Sequence, residues 1–229
     1  MTTRLTGISS LATRSLLNEL AEMYEKRSGI TVAIESVGGV DAAKRVLAGE
    51  AFDLVVLASD AIDKLIAAGR VVAGSKVDIA RSGVAIAGRA GATRPAIDSE
   101  DAVREAVRSA RTVGYSTGPS GVALAKLFER WGIAEEIKDR IVQATPGVPV
   151  GSLVAKGAVE LGFQQLSELL NVEGIEVLGP LPEGIQVVTV FSAGVCVASQ
   201  APEAVRAVLE FLVSPAADEA KPRQGMEAV

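Results

Sequence analysis

The sequence predicts an α/β protein of two lobes, each built on a doubly wound sheet. Short runs rich in Val, Ile and Leu alternate with amphipathic helical patterns along the chain, and successive strand–helix units of this kind form parallel sheets with helices on both faces. The alternation breaks near Arg81 and again in the apolar run VVTVFSAGVCVAS, residues 187–199. We therefore predict a first lobe from residues 1–80 plus 188–229 and an inserted second lobe from residues 81–187, joined by two crossover strands with a ligand cleft between them.

The first lobe begins with three strand–helix units. Each predicted strand is a short β-branched run, and each is followed by a segment in which apolar residues recur at intervals of three and four. The strands are RLTGIS, ITVAIES and FDLVVLA, and the helices lie within residues 11–29, 40–50 and 59–69.

The second lobe continues the alternation with shorter elements. Its clearest helix follows the loop STGPSG, because Leu124, Leu127, Phe128 and Trp131 fall on one helical face. This spacing predicts a helix start near Ser120 or Gly121. The other predicted elements are the strands SGVAIAG, TVGYS, RIVQAT and ELGFQQ, the helices EDAVREAVRSA and VGSLVAKG, and the closing helix PEAVRAVLEFLVS.

Charge and hydropathy exclude several classes of partner. The formal net charge is −5 and no basic run occurs, which argues against nucleic acid or an anionic membrane surface as a partner. No segment has the long apolar run of a membrane-inserted helix, and MTTRLTGISS lacks the hydrophobic stretch of a signal peptide. We expect a cytoplasmic protein if Met1 is the native start, and a periplasmic one if a signal peptide has been removed.

The absence of histidine narrows the possible chemistry. With no His and only Cys196, the chain has neither a His-based catalytic triad nor the usual ligands of a zinc site. Cys196 lies in an apolar run and is predicted to be a buried structural thiol. The Walker A and G-x-G-x-x-G patterns are also missing. We expect no metal and no cofactor.

Four predicted strand-to-helix loops are rich in glycine, serine or other small residues. Ligands of open α/β sheets bind at the carboxyl ends of strands, and a helix start offers free N–H groups and a positive dipole end to an anion. For any one loop the alternative is turn and cap chemistry, with Ser120 as an N-cap. The four loops together predict a small-anion site formed by Ser9 and Ser10, Gly38 and Gly39, Ser116, Ser120 and Gly121, and residues 146–150.

The order of these motifs resembles the molybdate-binding family of solute receptors that serve ABC importers. The motifs are ISSL, EKRSGITVAIESVGGVDAAKRVLAGEAFDLVVLAS, STGPSGVALAKLFERWGI, LVAKGAVELGF and FLVSPAADEA, and they cover nearly the whole chain. The resemblance implies a type II periplasmic-binding-protein fold that closes on a small anion without metal or cofactor. It also implies Ser10 as a ligand of the anion and, for an exported form, an ABC permease as partner.

Two positions depart from the pattern of that family. Gly39 stands where the family has a ligand serine, and Gln165 stands where it has a ligand tyrosine. Gln164 and Gln165 offer donors and acceptors that suit a carboxylate. Arg81, next to Ser82 at the predicted crossover, could clamp a carboxylate bidentately, the alternative being a solvated arginine. We therefore predict a preference for a carboxylate over molybdate, with Ser82 also in the site.

Two functions remain open for such a site. The protein either binds a small anion as a receptor or isomerises a small unsaturated carboxylic acid, as the resemblance to aconitate-isomerase-like members of the family implies. An isomerase needs a base near the acidic carbon of its substrate. Without histidine, the weak candidates nearest the loops are Asp41 and Tyr115.

Overall fold

The computed structural model describes residues 4–229, which form two compact units. Unit 1 comprises the chain up to Ser82 together with Val190–Val229, and unit 2 comprises Gly83–Thr189. Residues 1–3, on which the prediction about a signal peptide partly rests, lie outside the described residues. No helix within residues 4–229 has the length and apolar character needed to cross a bilayer.

Nine strands and ten α-helices, with four short 3-10 turns, account for the regular structure of residues 4–229. The strands are β1 (Arg4–Ser10), β2 (Thr31–Val37), β3 (Leu54–Ala58), β4 (Val77–Arg89), β5 (Val113–Ser116), β6 (Ile141–Ala144), β7 (Leu161–Gln165), β8 (Ile175–Pro180) and β9 (Val188–Val195). The helices are α1 (Arg14–Ser28), α2 (Gly39–Leu47), α3 (Ser59–Ala67), α4 (Glu100–Ser109), α5 (Pro119–Arg130), α6 (Ala134–Ile137), α7 (Val150–Ala155), α8 (Leu166–Leu169), α9 (Pro202–Leu212) and α10 (Pro215–Asp218).

Unit 1 has a mixed sheet in the order β2-β1-β3-β9. Strand β1 pairs in parallel with β2 and β3, as the strand–helix units predict, whereas β9 pairs antiparallel with β3. All five residues of β3 are buried: Leu54 and Val56 belong to one apolar cluster, and Val55 and Leu57 to another. Because side chains alternate along a strand, this division shows that both faces of the sheet are covered.

Unit 2 has the order β4-β7-β5-β6, with β8 also paired to β4. Strand β5 is parallel to β6 and β7, and β4 is antiparallel to β7 and β8. The main core of this unit joins the helices α4 and α5 to the sheet through Val107, Phe128 and Phe163. Both units are therefore α/β layers, and β4 and β9 each run through a boundary between them.

Three details of the sequence-based prediction are wrong. The sheets are mixed and not wholly parallel, because the crossover strands β4 and β9 return antiparallel to β7 and β3. Strand β8 was not predicted, since its residues IEVLGP are only partly buried and include Gly and Pro. Helix α5 begins at Pro119 with Gly118 as N-cap and no side-chain cap, so Ser120 is not the N-cap. A proline in the first turn fits a helix start, because its missing N–H would have no partner there.

Candidate ligand-binding site

Strand β1 ends in two adjacent buried serines whose hydroxyls differ in hydrogen bonding. The hydroxyl of Ser9 lies 2.8 Å from the hydroxyl of Ser36 and donates to the carbonyl of Ser10 at 3.2 Å. The Ser10 Oγ is buried and has no hydrogen-bond partner within residues 4–229. A buried polar atom without a partner costs about 1–3 kcal/mol, so Ser10 carries an unmet hydrogen-bonding capacity at the end of β1.

The second loop brings the start of α2 next to Ser10. Gly38 is the N-cap of this helix and makes no side-chain cap, and a Cβ added to Gly39 would lie 3.5 Å from the Ser10 Cβ. The first intrahelical bond joins the Ala42 N–H to the Gly38 carbonyl. The N–H groups of the first turn therefore precede the hydrogen-bond ladder, and the first residue of this turn, Gly39, lies next to Ser10.

Asp41 and Arg14 are the charged residues of these two loops. Asp41 is half-buried in the first turn of α2, where its carboxylate complements the helix dipole. Arg14 is exposed at the start of α1, and its Nη2 lies 3.4 Å from the Ser36 carbonyl oxygen. Asp41, which the sequence suggests as a candidate base, is thus in the same helical turn as Gly39. Arg14 and Ser36 also lie near these loops, and neither was among the predicted ligands.

Arg81 and Ser82 bind the C-terminal segment of unit 1. The Arg81 guanidinium forms an exposed ion pair with Glu227 at 2.9 Å, and the two backbones form a β-bridge. The Ser82 hydroxyl donates to the carbonyl of Gly225 at 3.2 Å. The carboxylate that engages Arg81 in this structure therefore belongs to the chain itself, and a role of Arg81 or Ser82 in ligand binding stays a prediction.

In unit 2, the loop between β5 and α5 is closely packed. The Ser116 Oγ accepts a long hydrogen bond of 3.4 Å from the Gly118 N–H, and Ser120 is buried in the first turn of the helix. A Cβ on Gly121 would lie 1.7 Å from the Ser116 carbonyl oxygen. Only glycine at position 121 allows the helix to start this close to the strand, which is the structural reason for the last residue of STGPSG.

Tyr115 is held in the core of unit 2 beside this loop. Its ring packs edge-on against Phe128 with centroids 6.0 Å apart. Burial raises the pKa of its hydroxyl above the ordinary value. A raised pKa makes the phenolate scarcer near neutral pH, which is unfavourable for a base.

The end of β7 carries two glutamines with different partners. Gln164 accepts a hydrogen bond from the Val150 N–H at 2.8 Å and donates to Glu168 Oε1 at 2.7 Å. Gln165 donates from Nε2 to the Thr189 hydroxyl at 2.7 Å, but its Oε1 is buried without a partner within residues 4–229. Ser167 Oγ, two residues further, is also buried and unpartnered within that range. Gln164 therefore links elements of unit 2, whereas Gln165 and Ser167 have free hydrogen-bonding capacity.

Sequence reasoning missed Ser167, Glu168 and Thr189 around these glutamines. Ser167 and Glu168 lie two and three residues after Gln165 in QQLSEL and could have been found by extending the predicted site along the sequence. Thr189 lies in a different strand, β9, and no local pattern pairs it with Gln165. Within residues 4–229, no group of three or more acidic or thiol side chains is arranged to hold a metal ion.

Two mixed α/β units joined by two strands define the type II periplasmic-binding-protein fold. The sequence profile of the bacterial extracellular solute-binding proteins matches residues 5–227. The chain belongs to this family.

The proteins similar to this chain include one named as an enzyme and others named as molybdate-binding proteins. An aconitate isomerase from a Pseudomonas species is 38% identical over 99% of this chain and 88% of its own. The molybdate-binding protein ModA of Azotobacter vinelandii is 25% identical over 89% of this chain and 81% of its own. The structure of the periplasmic molybdate-binding protein of Azotobacter vinelandii covers 98% of this chain and 99% of its own with a TM-score of 0.80 and 21% identity. The chain is thus a member of a molybdate-receptor-like family that also includes a protein named as an enzyme.

Proposed function

We propose that this protein binds a small carboxylate anion, as a solute-binding protein. The observation that carries the proposal is the presence of buried polar atoms, at or just after strand ends, that have no hydrogen-bond partner within residues 4–229: Ser10 Oγ in unit 1, and Gln165 Oε1 and Ser167 Oγ in unit 2. Native proteins leave few such atoms, because each has lost its hydrogen bonds to water. A bound polar ligand would supply the missing partners.

The composition of this donor and acceptor set favours a carboxylate over a bare tetrahedral oxyanion. The amide of Gln165 can rotate by 180° and still bond to Thr189, because a hydroxyl both donates and accepts. In one orientation the free end of the amide is an acceptor that suits a carboxylic acid or hydroxyl, and in the other it is a donor that suits a carboxylate. The 38% identity to a protein named aconitate isomerase supports the same class of ligand.

Calorimetric titration of the purified protein with trans-aconitate and with molybdate tests this proposal. We expect trans-aconitate to bind and molybdate to bind more weakly. Gln165→Ala should weaken trans-aconitate binding at least 10-fold, because it removes the amide from the site. Gln186→Ala, which changes an amide bonded to Val84 and Leu181 backbone atoms in the same unit, is the control for general destabilisation. Tight molybdate binding with no response to the carboxylate would overturn the proposal.

For an exported form, the proposed partner is an ABC permease that receives the bound anion. The support for this partner is membership of the extracellular solute-binding family. Uptake of labelled trans-aconitate by cells with and without the gene tests the transport role. Unchanged uptake would contradict it while leaving anion binding intact.

The second candidate is isomerisation of the bound acid, and the similarity to the aconitate isomerase favours it. The reaction would be a proton shift: a base removes a proton from the carbon next to the double bond, and the same proton is returned at the other end of the allylic system. Glu168 is the carboxylate we propose as this base, since Gln164 donates to its Oε1 at 2.7 Å and it lies next to Ser167. The N–H groups and hydroxyls of the site would stabilise the enolate charge.

NMR of a trans-aconitate solution separates the receptor from the isomerase. A receptor leaves the ratio of cis and trans forms unchanged, whereas an isomerase drives the ratio to equilibrium. We expect Glu168→Gln to lower any turnover by at least 100-fold while trans-aconitate still binds, because the amide cannot accept the proton. Unchanged turnover in this variant would exclude Glu168 as the base.

A further inference from the structure

Arg14 carries a positive charge that no carboxylate within residues 4–229 neutralises. The side chain is exposed, and its one hydrogen bond in the described part of the chain is the 3.4 Å contact of Nη2 with the Ser36 carbonyl oxygen. By contrast, Arg45 in α2 contacts the carboxylates of Glu35 and Glu50. The long single contact leaves most of the five N–H donors of the Arg14 guanidinium available.

The guanidinium of Arg14 lies at the same edge of the sheet as the unpartnered Ser10 hydroxyl. Ser36 faces Ser9 in the parallel pairing of β1 and β2, and their hydroxyls are 2.8 Å apart. Ser36 is the second-last residue of β2, and Gly38 alone separates this strand from Gly39, whose Cβ position is 3.5 Å from the Ser10 Cβ. Ser10 therefore lies next to the start of α2, and Arg14 contacts the end of the strand that leads to it.

The charges near Ser10 and the start of α2 determine how Arg14 would contribute to the binding of an anion. The Ser10 hydroxyl and the first-turn N–H groups of α2 are neutral, and they can hold one anionic group through hydrogen bonds. Asp41 contributes a negative charge in the same turn, which opposes a ligand with several charges. Arg14 is a cation whose planar fork matches a carboxylate bidentately.

We propose that Arg14 is a specificity-determining residue that binds a second carboxylate of the ligand, so that unit 1 recognises a polycarboxylate. This inference rests on the proposed carboxylate-binding function and deepens it. In the bound state, one carboxylate accepts hydrogen bonds from Ser10 and the start of α2, and another is paired with the Arg14 guanidinium.

Binding of a series of acids with decreasing numbers of carboxyl groups tests this role. The probes are trans-aconitate, trans-glutaconate and crotonate, with three, two and one carboxyl groups, and weak binders are measured by competition against trans-aconitate. Arg14→Gln should weaken trans-aconitate about 10-fold or more and crotonate less than about 2-fold, as removal of one charge-assisted contact predicts. Arg14→Lys should recover part of the loss, because it restores the charge without the fork.

Arg27→Gln is the matched control, because Arg27 lies in the last turn of the same helix and has no carboxylate partner within residues 4–229. It should leave all three affinities unchanged. If Arg14→Gln matches Arg27→Gln, or weakens the three acids equally, the proposal is overturned while carboxylate binding stands. If the wild-type protein binds none of the acids, the proposed function itself fails, and this inference fails with it. Thermal unfolding of each variant confirms that the fold is intact.

Discussion

At the scale of single residues, the two adjacent serines at the end of β1 have different roles: Ser9 is structural, and Ser10 is proposed to bind the ligand. Ser9 is fully buried and partnered by Ser36, whereas the Ser10 hydroxyl has no partner within residues 4–229. The two side chains have the same chemistry and differ only in what surrounds them. Their alanine variants should therefore have opposite effects on stability and binding.

We predict that Ser10→Ala leaves the free energy of unfolding of the ligand-free protein unchanged or slightly higher, because it removes an unsatisfied hydroxyl. The same variant should weaken trans-aconitate binding by about 10-fold, which corresponds to about 1.4 kcal/mol. Ser9→Ala should instead lower the free energy of unfolding by about 1 kcal/mol, since it leaves Ser36 without its partner. Urea unfolding and calorimetric titration measure both quantities. Equal binding by Ser10→Ala and the wild type would remove Ser10 from the proposed site.

Gly121 and Gly39 differ in how much space their surroundings leave for a side chain. A Cβ on Gly121 would overlap the Ser116 carbonyl oxygen, whereas a Cβ on Gly39 would make an ordinary contact with Ser10. We predict that Gly121→Ala lowers the free energy of unfolding by about 2 kcal/mol or more, because α5 must move away from β5. Gly39→Ala should cost less than about 1 kcal/mol. Denaturant unfolding compares the two, and a tolerated Gly121→Ala would show that the helix can shift at little cost.

At the scale of elements, the C-terminal segment of unit 1 is tied to α1 through Glu19. The Glu19 carboxylate accepts hydrogen bonds from Arg223 Nε at 3.1 Å and from Gln224 Nε2 at 2.8 Å. The Arg223 hydrogen bond, followed by that from Gln224, lowers the pKa of Glu19. The 3-10 turn of Pro222–Gln224 is therefore attached to a helix more than two hundred residues earlier in the chain.

A lowered pKa in the folded state determines how this contact depends on pH. The stabilisation is fully present above the unfolded pKa of about 4.3 and is lost as the pH falls through the lower folded pKa. We predict that Glu19→Gln lowers the free energy of unfolding at pH 7 by about 1 kcal/mol or less, and that the difference from wild type shrinks progressively as the pH falls below the unfolded pKa of about 4.3. Glu22→Gln, an exposed position on the same helix, should have no effect. A pH-independent difference for Glu19→Gln would contradict the ion-pair explanation.

At the scale of the whole molecule, a ligand that binds only the folded chain raises its unfolding temperature. At a concentration of 100 times Kd the stabilisation is about 2.7 kcal/mol, which corresponds to about 5–10 °C for a chain of this size. We predict such a rise with trans-aconitate and a smaller one with molybdate, measured by thermal shift on the full chain. Sodium chloride at equal ionic strength is the control. A rise with molybdate alone would contradict the preference for a carboxylate.

The sequence by itself determined the fold class, most of the strands and helices, and the strand ends near which Ser10 and Gln165 lie. These features depend on local periodicity and turn chemistry: β3 is a continuous apolar run, and the loops before α2 and α5 are short and rich in glycine. Even the wrong details were local in origin, because the partly buried β8 and the proline at the start of α5 give weak or mixed signals.

Only the tertiary structure decided which of the polar residues have partners. Gln164 and Gln165 are adjacent and have the same side chain. The Gln164 amide forms hydrogen bonds with the Val150 N–H and the Glu168 carboxylate, whereas the Gln165 amide bonds to Thr189 through Nε2 and its Oε1 has no partner within residues 4–229. Arg81 is paired with Glu227, whereas Arg14 has no carboxylate partner within residues 4–229. A hydrogen bond or ion pair between residues distant in the chain leaves no periodicity in the sequence, because it depends on where folding places both groups and on how much water it excludes.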